Sequence, residues 1–318
     1  QYDDPLKIPI LLSGGFGELR NNHFHSGIDL KTQGVIRKTV HSIEEGYVSR
    51  ISVSPGGYGK ALYITHPSTG HVSVYGHLDG YIPKLEKYIK EQQYEQESFK
   101  VDLRPEKDMF SVKRGEMVAY SGNSGSSGGP HVHFEVREAE SNKVLDPLEY
   151  YKDKIKDEVD PDVRGVAVYP VDGEGVVNNS SKPLRFNLQR SKKGNPLSPD
   201  KSIVAWGKIG LAIKAYDKMS GTTNIYGVKE IRMYVESELV FKSRIESYGF
   251  DQTRMLNTFV DFADWRNNKS FFMKSFIDPG NTLDFYDRSL GDGYFTINKE
   301  GNYHIRYELE DIYGNIQH

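Results

Sequence analysis

His25-Ser26-Gly27-Ile28-Asp29 and, far downstream, His131-Val132-His133 are the residues of this chain whose types and spacing could do chemistry. They supply a His-x-x-x-Asp pair and a His-x-His pair. Two imidazoles and one carboxylate can hold a zinc ion and leave its fourth position open for water. Zinc lowers the pKa of bound water towards neutrality and polarises a carbonyl. A histidine near its unperturbed pKa can then accept and return the proton. No serine or cysteine nucleophile is required.

The elements that must position these groups read as strands. Side chains two apart on a strand point to one face. Val132, Phe134 and Val136 are strand formers, so the 131–136 run reads as a strand. One imidazole can then bind the metal while its neighbour sits beside the metal-bound water; on a helix this spacing would turn the rings apart. The residue types do not choose between His131 and His133 as the ligand. Residues 35–80 alternate short β-rich runs, at 47–53, 61–65 and 71–75, with turns at Pro55-Gly56-Gly57 and Ser68-Thr69-Gly70, a compact antiparallel pattern. Pro83 suits the first turn of a helix, and Ile82, Leu85, Tyr88 and Ile89 recur at helical spacing, which predicts a helix from 83 to about 99. The glycine-rich run 121–130 lacks Gly-Lys-Ser/Thr and leads into a strand, so it is a tight turn shaping a site wall rather than a phosphate loop.

The blocks around these pairs sharpen the reading. They are Phe16-Gly17-Glu18-Leu19-Arg20, His23-Phe24-His25-Ser26-Gly27-Ile28-Asp29-Leu30, Glu45-Gly46-Tyr47-Val48, Gly57-Tyr58-Gly59, Leu62-Tyr63-Ile64-Thr65-His66 and Val74-Tyr75-Gly76-His77-Leu78. Val112-Lys113-Arg114-Gly115-Glu116, Ser121-Gly122-Asn123-Ser124-Gly125 and Gly129-Pro130-His131-Val132-His133-Phe134-Glu135 follow. In order and character, from about residue 16 to 150, they resemble the lysostaphin/LytM-type zinc metalloendopeptidases of bacterial cell walls. The resemblance implies that His25, Asp29 and His133 are zinc ligands and that His131 is the base acting on the zinc-bound water. It implies that His77 is the second catalytic histidine, stabilising the oxyanion. It implies peptidoglycan peptides as substrate, and it makes 81–110 a helical insertion, either a surface helix or a wall or lid of the substrate groove.

Composition agrees with a globular protein. The 318 residues favour two domains, with 37% hydrophobic residues for cores, 27% charged, and a net charge of −3 that gives no footprint for nucleic acid. With no cysteine, disulfides and thiolate chemistry are excluded. No apolar run reaches the length of a membrane span. A chain beginning at Gln1 reads as a mature form with its secretory signal removed or as a trimmed chain, and the resemblance implies the cell envelope, periplasmic or extracellular. Eight of the ten histidines precede residue 134, so the metal chemistry belongs to the first half.

A proline-punctuated, charged stretch from 147 to about 162 reads as the domain boundary. Beyond it, short alternating runs at 166–169, 184–188, 209–216, 229–235, 239–245, 282–286, 293–297 and 303–309 suggest a β-sandwich of immunoglobulin-like type. Asp311-Ile312-Tyr313-Gly314-Asn315 resembles the turn before a final strand that the chain, stopping at His318, does not complete. The expectation is mainly β: an antiparallel metallopeptidase domain over 1–155, then the sandwich over 160–318, which would position the first domain on the wall or on an envelope protein.

Several polar residues have ordinary readings. His23 is a groove or supporting residue rather than a ligand. His41, His66 and His71 are strand or turn histidines. Arg20 is either an ion-pair partner or a carboxylate clamp. Asp217, Asp251 and Asp287 invite a calcium reading, but no ligand spacing of a known loop supports it. Two other functions compete with the zinc peptidase. A non-catalytic peptidoglycan binder, or activator of another hydrolase, would be a family member that has lost ligands or catalytic histidines, whereas this chain keeps all five. An adhesive protein with a metal-stabilised β domain leaves His77 and His131 unexplained.

Overall fold

The computed structural model describes residues 2–191, 196–199 and 202–318. It is mainly β, with antiparallel sheets and few helices. The chain forms two compact units. One comprises 1–16 and 25–156; the other comprises 17–24 and 157–318, so the short hairpin at 17–24 groups with the later residues.

The central sheet of the first unit runs in the order Leu12–Gly14, Ile28–Lys31, His131–Glu138, His71–Gly76, Lys60–His66, Gly46–Val53, Val101–Leu103, every neighbour antiparallel. Val132, Phe134 and Val136 are fully buried, and Ile28, Leu30, Val74 and Leu62 share the core with them. A smaller sheet joins Thr39–His41, Met117–Tyr120 and Gly80–Tyr81. The runs expected at 47–53, 61–65 and 71–75 are strands, each within a residue or so of its expected ends.

The helix is shorter than expected, Pro83–Glu95. Leu85 and Ile89 form its buried stripe, and the Tyr88 ring meets Phe110 at 5.3 Å. Glu97 takes a left-handed φ of 47°, which no helix propagates, so residues 96–99 turn instead towards the Val101–Leu103 edge strand.

The second unit contains a sheet built on two long paired strands, Asp162–Val177 and Ala205–Lys218, and a second sheet that includes Glu238–Arg244, Glu230–Val235 and Ile305–Glu310. Expected strands at 166–169, 184–188, 209–216, 229–235, 239–245, 293–297 and 303–309 all fall on strands. The run 282–286 does not. Leu283, Phe285 and Tyr286 are buried, but Phe285 packs on the rings of Phe24 and Phe259 at 5.8 and 5.4 Å, and among the described residues the run's only ladder contact is an isolated bridge from Tyr286 to Ser243. Short helical turns between Phe250 and Asn268 include Phe262–Asn268, capped by the Asp261 carboxylate accepting from the Asp264 N–H at 3.1 Å.

A candidate metal centre on adjacent strands

The pairing register brings the chemistry together. His133 lies opposite Asp29 on one side and opposite Gly76 on the other, so the residue after Gly76, His77, enters the same neighbourhood. His77 itself is left-handed, with φ of 59°, an uncommon state for a side-chain-bearing residue that turns the chain out of the strand at the site. Gly27 explains the Ser-Gly between His25 and Asp29. A Cβ there would fall 2.2 Å from the Phe134 carbonyl oxygen, so only glycine lets the two strands approach.

Three atoms converge. His25 Nε2 is 2.9 Å from His133 Nδ1 and 3.1 Å from Asp29 Oδ1, and His133 Nδ1 is 3.0 Å from Asp29 Oδ1. All three side chains are buried. The outer contacts decide what those atoms offer. His25 Nδ1 faces the Gly15 carbonyl at 2.7 Å, and His133 Nε2 faces Glu135 Oε1 at 2.7 Å. A carbonyl and a carboxylate only accept, so each ring carries its proton on the outside and turns a lone pair inwards when neutral. Two imidazole lone pairs and a carboxylate then face one point, an arrangement that requires a positive charge. The spacing of about 3 Å suits atoms sharing an ion held at roughly 2.0–2.2 Å. The donor set therefore fits a metal.

The electrostatics agree. Burial alone would raise the Asp29 carboxyl, but His25 and His133 outweigh it and hold it well below its usual range. Burial opposes charge on His133, yet Asp29 and Glu135 bring it up to about 9. In the metal-free protein a second proton on His133 thus stands where the metal would, and the two compete for one place.

His131 and His77 flank the cluster, their rings 4.7 Å apart. His131 Nε2 lies 3.5 Å from Asp29 Oδ1, and its Nδ1 faces the Gly129 carbonyl at 2.8 Å. His77 Nδ1 faces the Ser124 carbonyl at 2.8 Å. Burial lowers both, His77 to about 4, so both rings are neutral with Nε2 bare. The glycine-rich turn is thereby more than a wall: its carbonyls orient both flanking imidazoles.

Three supporting residues were not singled out from the sequence. Glu135 is fully buried and accepts from His133 Nε2, from the Tyr58 hydroxyl and from Arg137 Nε at 2.5 Å; burial would raise its pKa, but Arg137 and His133 outweigh it and bring it down to about 2. Tyr58 also stacks on the His133 ring, centroids 4.9 Å apart. The signal available was the strand period: Glu135 and Arg137 follow His133 at steps of two and share its face.

Other candidates lie elsewhere. His23 is exposed, its Nδ1 on the Asn21 carbonyl at 3.0 Å, and is not part of the cluster. His41 bonds the Gly115 carbonyl and Thr39, His66 bonds the Glu45 carbonyl and Ser73, and His71 bonds Tyr2. Arg20 pairs with Glu18 at 3.0 Å.

No family model matches the chain. It is 30% identical over 125 residues to an uncharacterized metalloprotease of Haemophilus influenzae, a match covering 39% of this chain and 20% of that protein, so the chain spans about a fifth of the relative's length. Residues 16–150 are similar to the lysostaphin/LytM-type peptidases. Among solved structures, a zinc-containing peptidase from Vibrio cholerae shares 27% identity over 45% of this chain and 37% of that one, with a TM-score of 0.33. The catalytic domain of lysostaphin from Staphylococcus simulans shares 23% identity over 43% of this chain and 89% of its own, with a TM-score of 0.32.

Proposed function

We propose that the chain is a zinc-dependent metalloendopeptidase of the bacterial cell envelope, periplasmic or extracellular, hydrolysing peptide bonds of peptidoglycan stem peptides or cross-links. The observation that carries this reading is the inward convergence of His25 Nε2, His133 Nδ1 and Asp29 Oδ1 beside two further imidazoles whose Nε2 atoms are bare.

His25, Asp29 and His133 hold the ion, with Gly15 and Glu135 fixing the ring orientations. Bound there, zinc supplies an acidified water and polarises the scissile carbonyl. His131 is the general base: Gly129 pins its Nδ1–H, and the bare Nε2 beside Asp29 is the atom that takes the water's proton and later delivers it to the leaving amine. His77 is assigned to the oxyanion. In its neutral form the Nδ1–H is spent on Ser124 and Nε2 offers only a lone pair, so His77 donates to an oxyanion only when protonated. We read the second unit as an immunoglobulin-like sandwich that positions the enzyme on the wall or on an envelope protein; its two groups of antiparallel strands support the first half of that reading.

The test is digestion of purified peptidoglycan by the zinc-loaded chain, with mass analysis of the fragments. Peptide-bond cleavage that disappears on chelation and in Asp29→Ala is the expected result. Tight binding to sacculi with no released fragments would instead make the chain a non-catalytic binder or an activator of another hydrolase.

A further inference from the structure

The second unit contains another convergence of possible ligands. Asp157 begins the main segment of the unit, Asp217 is the last residue but one of the long strand Ala205–Lys218, and Asp311 follows the strand Ile305–Glu310. Each offers a carboxylate oxygen, and these oxygens lie within 4.8 Å of one another. The three residues are 7%, 5% and 1% exposed. Three carboxylates do not gather in a protein interior without compensation, because ionised oxygens out of water need a partner.

Counting their hydrogen bonds shows where compensation stops. Asp311 is satisfied: Oδ1 accepts from the Tyr313 and Asn315 N–H groups at 2.8 and 2.9 Å, and Oδ2 accepts from Asn315 Nδ2 at 2.7 Å. Asp157 Oδ1 accepts from the Ser220 and Val159 N–H groups at 2.8 and 3.3 Å. Asp157 Oδ2 and Asp217 Oδ1 are buried and, among the described residues, accept from nothing. Among the described residues no basic side chain pairs with any of the three. The adjacent Lys218 is committed to Asp162 at 3.1 Å.

We propose that Asp157, Asp217 and Asp311 form a structural site for calcium, which would tie the start of the 157–318 segment to the end of the long strand Ala205–Lys218 and to the turn after Ile305–Glu310. The donors are all oxygen, with no imidazole or thiolate, which selects a hard cation over zinc. Calcium tolerates irregular carboxylate geometry, whereas magnesium demands a near-ideal octahedron and keeps its waters. The orphaned oxygens of Asp157 and Asp217 are the positions an ion would satisfy. Without one, burial and then the carboxylates of Asp311 and Asp157 push Asp217 well above the usual range, so a proton is the ion's competitor.

The experiment uses the full chain loaded with zinc and freed of other metal by a calcium-selective chelator. Calcium chloride is titrated calorimetrically, and melting is followed with and without it. One calcium per chain is expected, with a dissociation constant in the range of roughly 10⁻⁶ to 10⁻³ M, and a rise in melting temperature. Asp217→Asn and Asp311→Asn should each weaken binding by about tenfold or more while leaving zinc content unchanged. Asp29→Ala should keep the calcium response. The wild-type titration needs no variant to fold, and Asp217→Asn conserves shape while removing charge. Absence of binding and of any melting shift with wild-type protein would overturn the proposal, as would preferential binding of magnesium or manganese. Loss of the response in Asp29→Ala would also overturn it, because the ion would then be at the histidine cluster.

Discussion

The two buried clusters of this chain differ in the kind of atom they turn inwards and in what surrounds them. Around His25, Asp29 and His133, carbonyls and the Glu135 carboxylate take the outer ring protons, so two nitrogen lone pairs and a carboxylate are aimed by neighbours. Two more imidazoles stand beside them with their own orienting carbonyls. Around Asp157, Asp217 and Asp311 only oxygens converge, N–H groups satisfy some of them, and two are left over. A proton can substitute for the cation in both places, with opposite effect: on His133 it creates a charge, and on Asp217 it removes one. The comparison teaches that convergence alone is not a function. The first cluster has groups placed to move protons, which chemistry needs; the second has none and is suited to holding.

The sharpest way to break this contrast is at Asp29. Asp29→Ala should take hydrolysis to background with loss of zinc stoichiometry, while the calcium response of the second cluster stays. Full zinc occupancy in that variant would undo the ligand assignment. His77→Ala is the next largest effect. It hydrogen-bonds to none of the three ligands, so zinc content should hold while kcat falls by roughly 10²–10³, the cost of removing one donor, provided that the developing oxyanion draws a proton on to Nε2; a fall of less than about tenfold would mean that the ring stays neutral and donates nothing. If His77→Ala lost zinc as completely as Asp29→Ala, ligand and catalytic group would have been confused.

Glu135→Gln tests how far the first cluster depends on its surroundings. The amide can still accept from His133 Nε2 but has no charge, and a loss of about 10–100-fold in zinc affinity is expected. The change also leaves Arg137 without its buried carboxylate, which lowers stability by roughly 3–5 kcal/mol. Zinc affinity should therefore be measured well below the variant's melting temperature. An unchanged zinc affinity there would make Glu135 a partner of Arg137 alone.

The two clusters were unequally legible in sequence for a physical reason. The first is carried by short windows on strands, where a period of two places His131, His133 and Glu135 on one face and cross-strand register sets Asp29 against His133. What could not be read there was main chain: the carbonyls of Gly15, Ser124 and Gly129 have no side-chain signature. The helix stops at Glu95 and not near 99, an end that could not be read because Gln96-Glu97-Ser98-Phe99 contains no Gly or Pro and nothing in its residue types announces the left-handed Glu97. At 282–286 an alternating apolar run read as a strand, but its side chains serve an aromatic cluster instead of a ladder. The aspartate cluster draws one residue from each of three distant places, so no window of sequence contains two of its members. Asp217 was grouped with Asp251 and Asp287, yet Asp287 caps the turn at Ser289 and Asp251 is exposed outside the cluster.

The smallest expected effect, and the finest test of the contrast, is the pH dependence of stability without calcium. Asp217 has a folded pKa above its unfolded value, because burial, Asp311 and Asp157 all disfavour its charge. Below the ordinary aspartate range of about 3.9 it is protonated in both states and costs nothing. As pH rises above that range the unfolded chain ionises first and is favoured, so stability is lost progressively until the folded pKa is reached, and the loss is constant beyond it. In chelator, the melting temperature of wild type relative to Asp217→Asn should therefore decline between acid and neutral pH. The comparison with the variant removes the contribution of carboxylates such as Asp29 and Asp261, whose folded pKa values are depressed and which gain stability at lower pH, up to the ordinary aspartate value. Calcium should abolish the decline, since an ion at the orphaned oxygens stabilises the charged form. A wild-type profile parallel to that of Asp217→Asn in chelator would mean that the buried carboxylate carries no unmet charge and that the second cluster needs no ion.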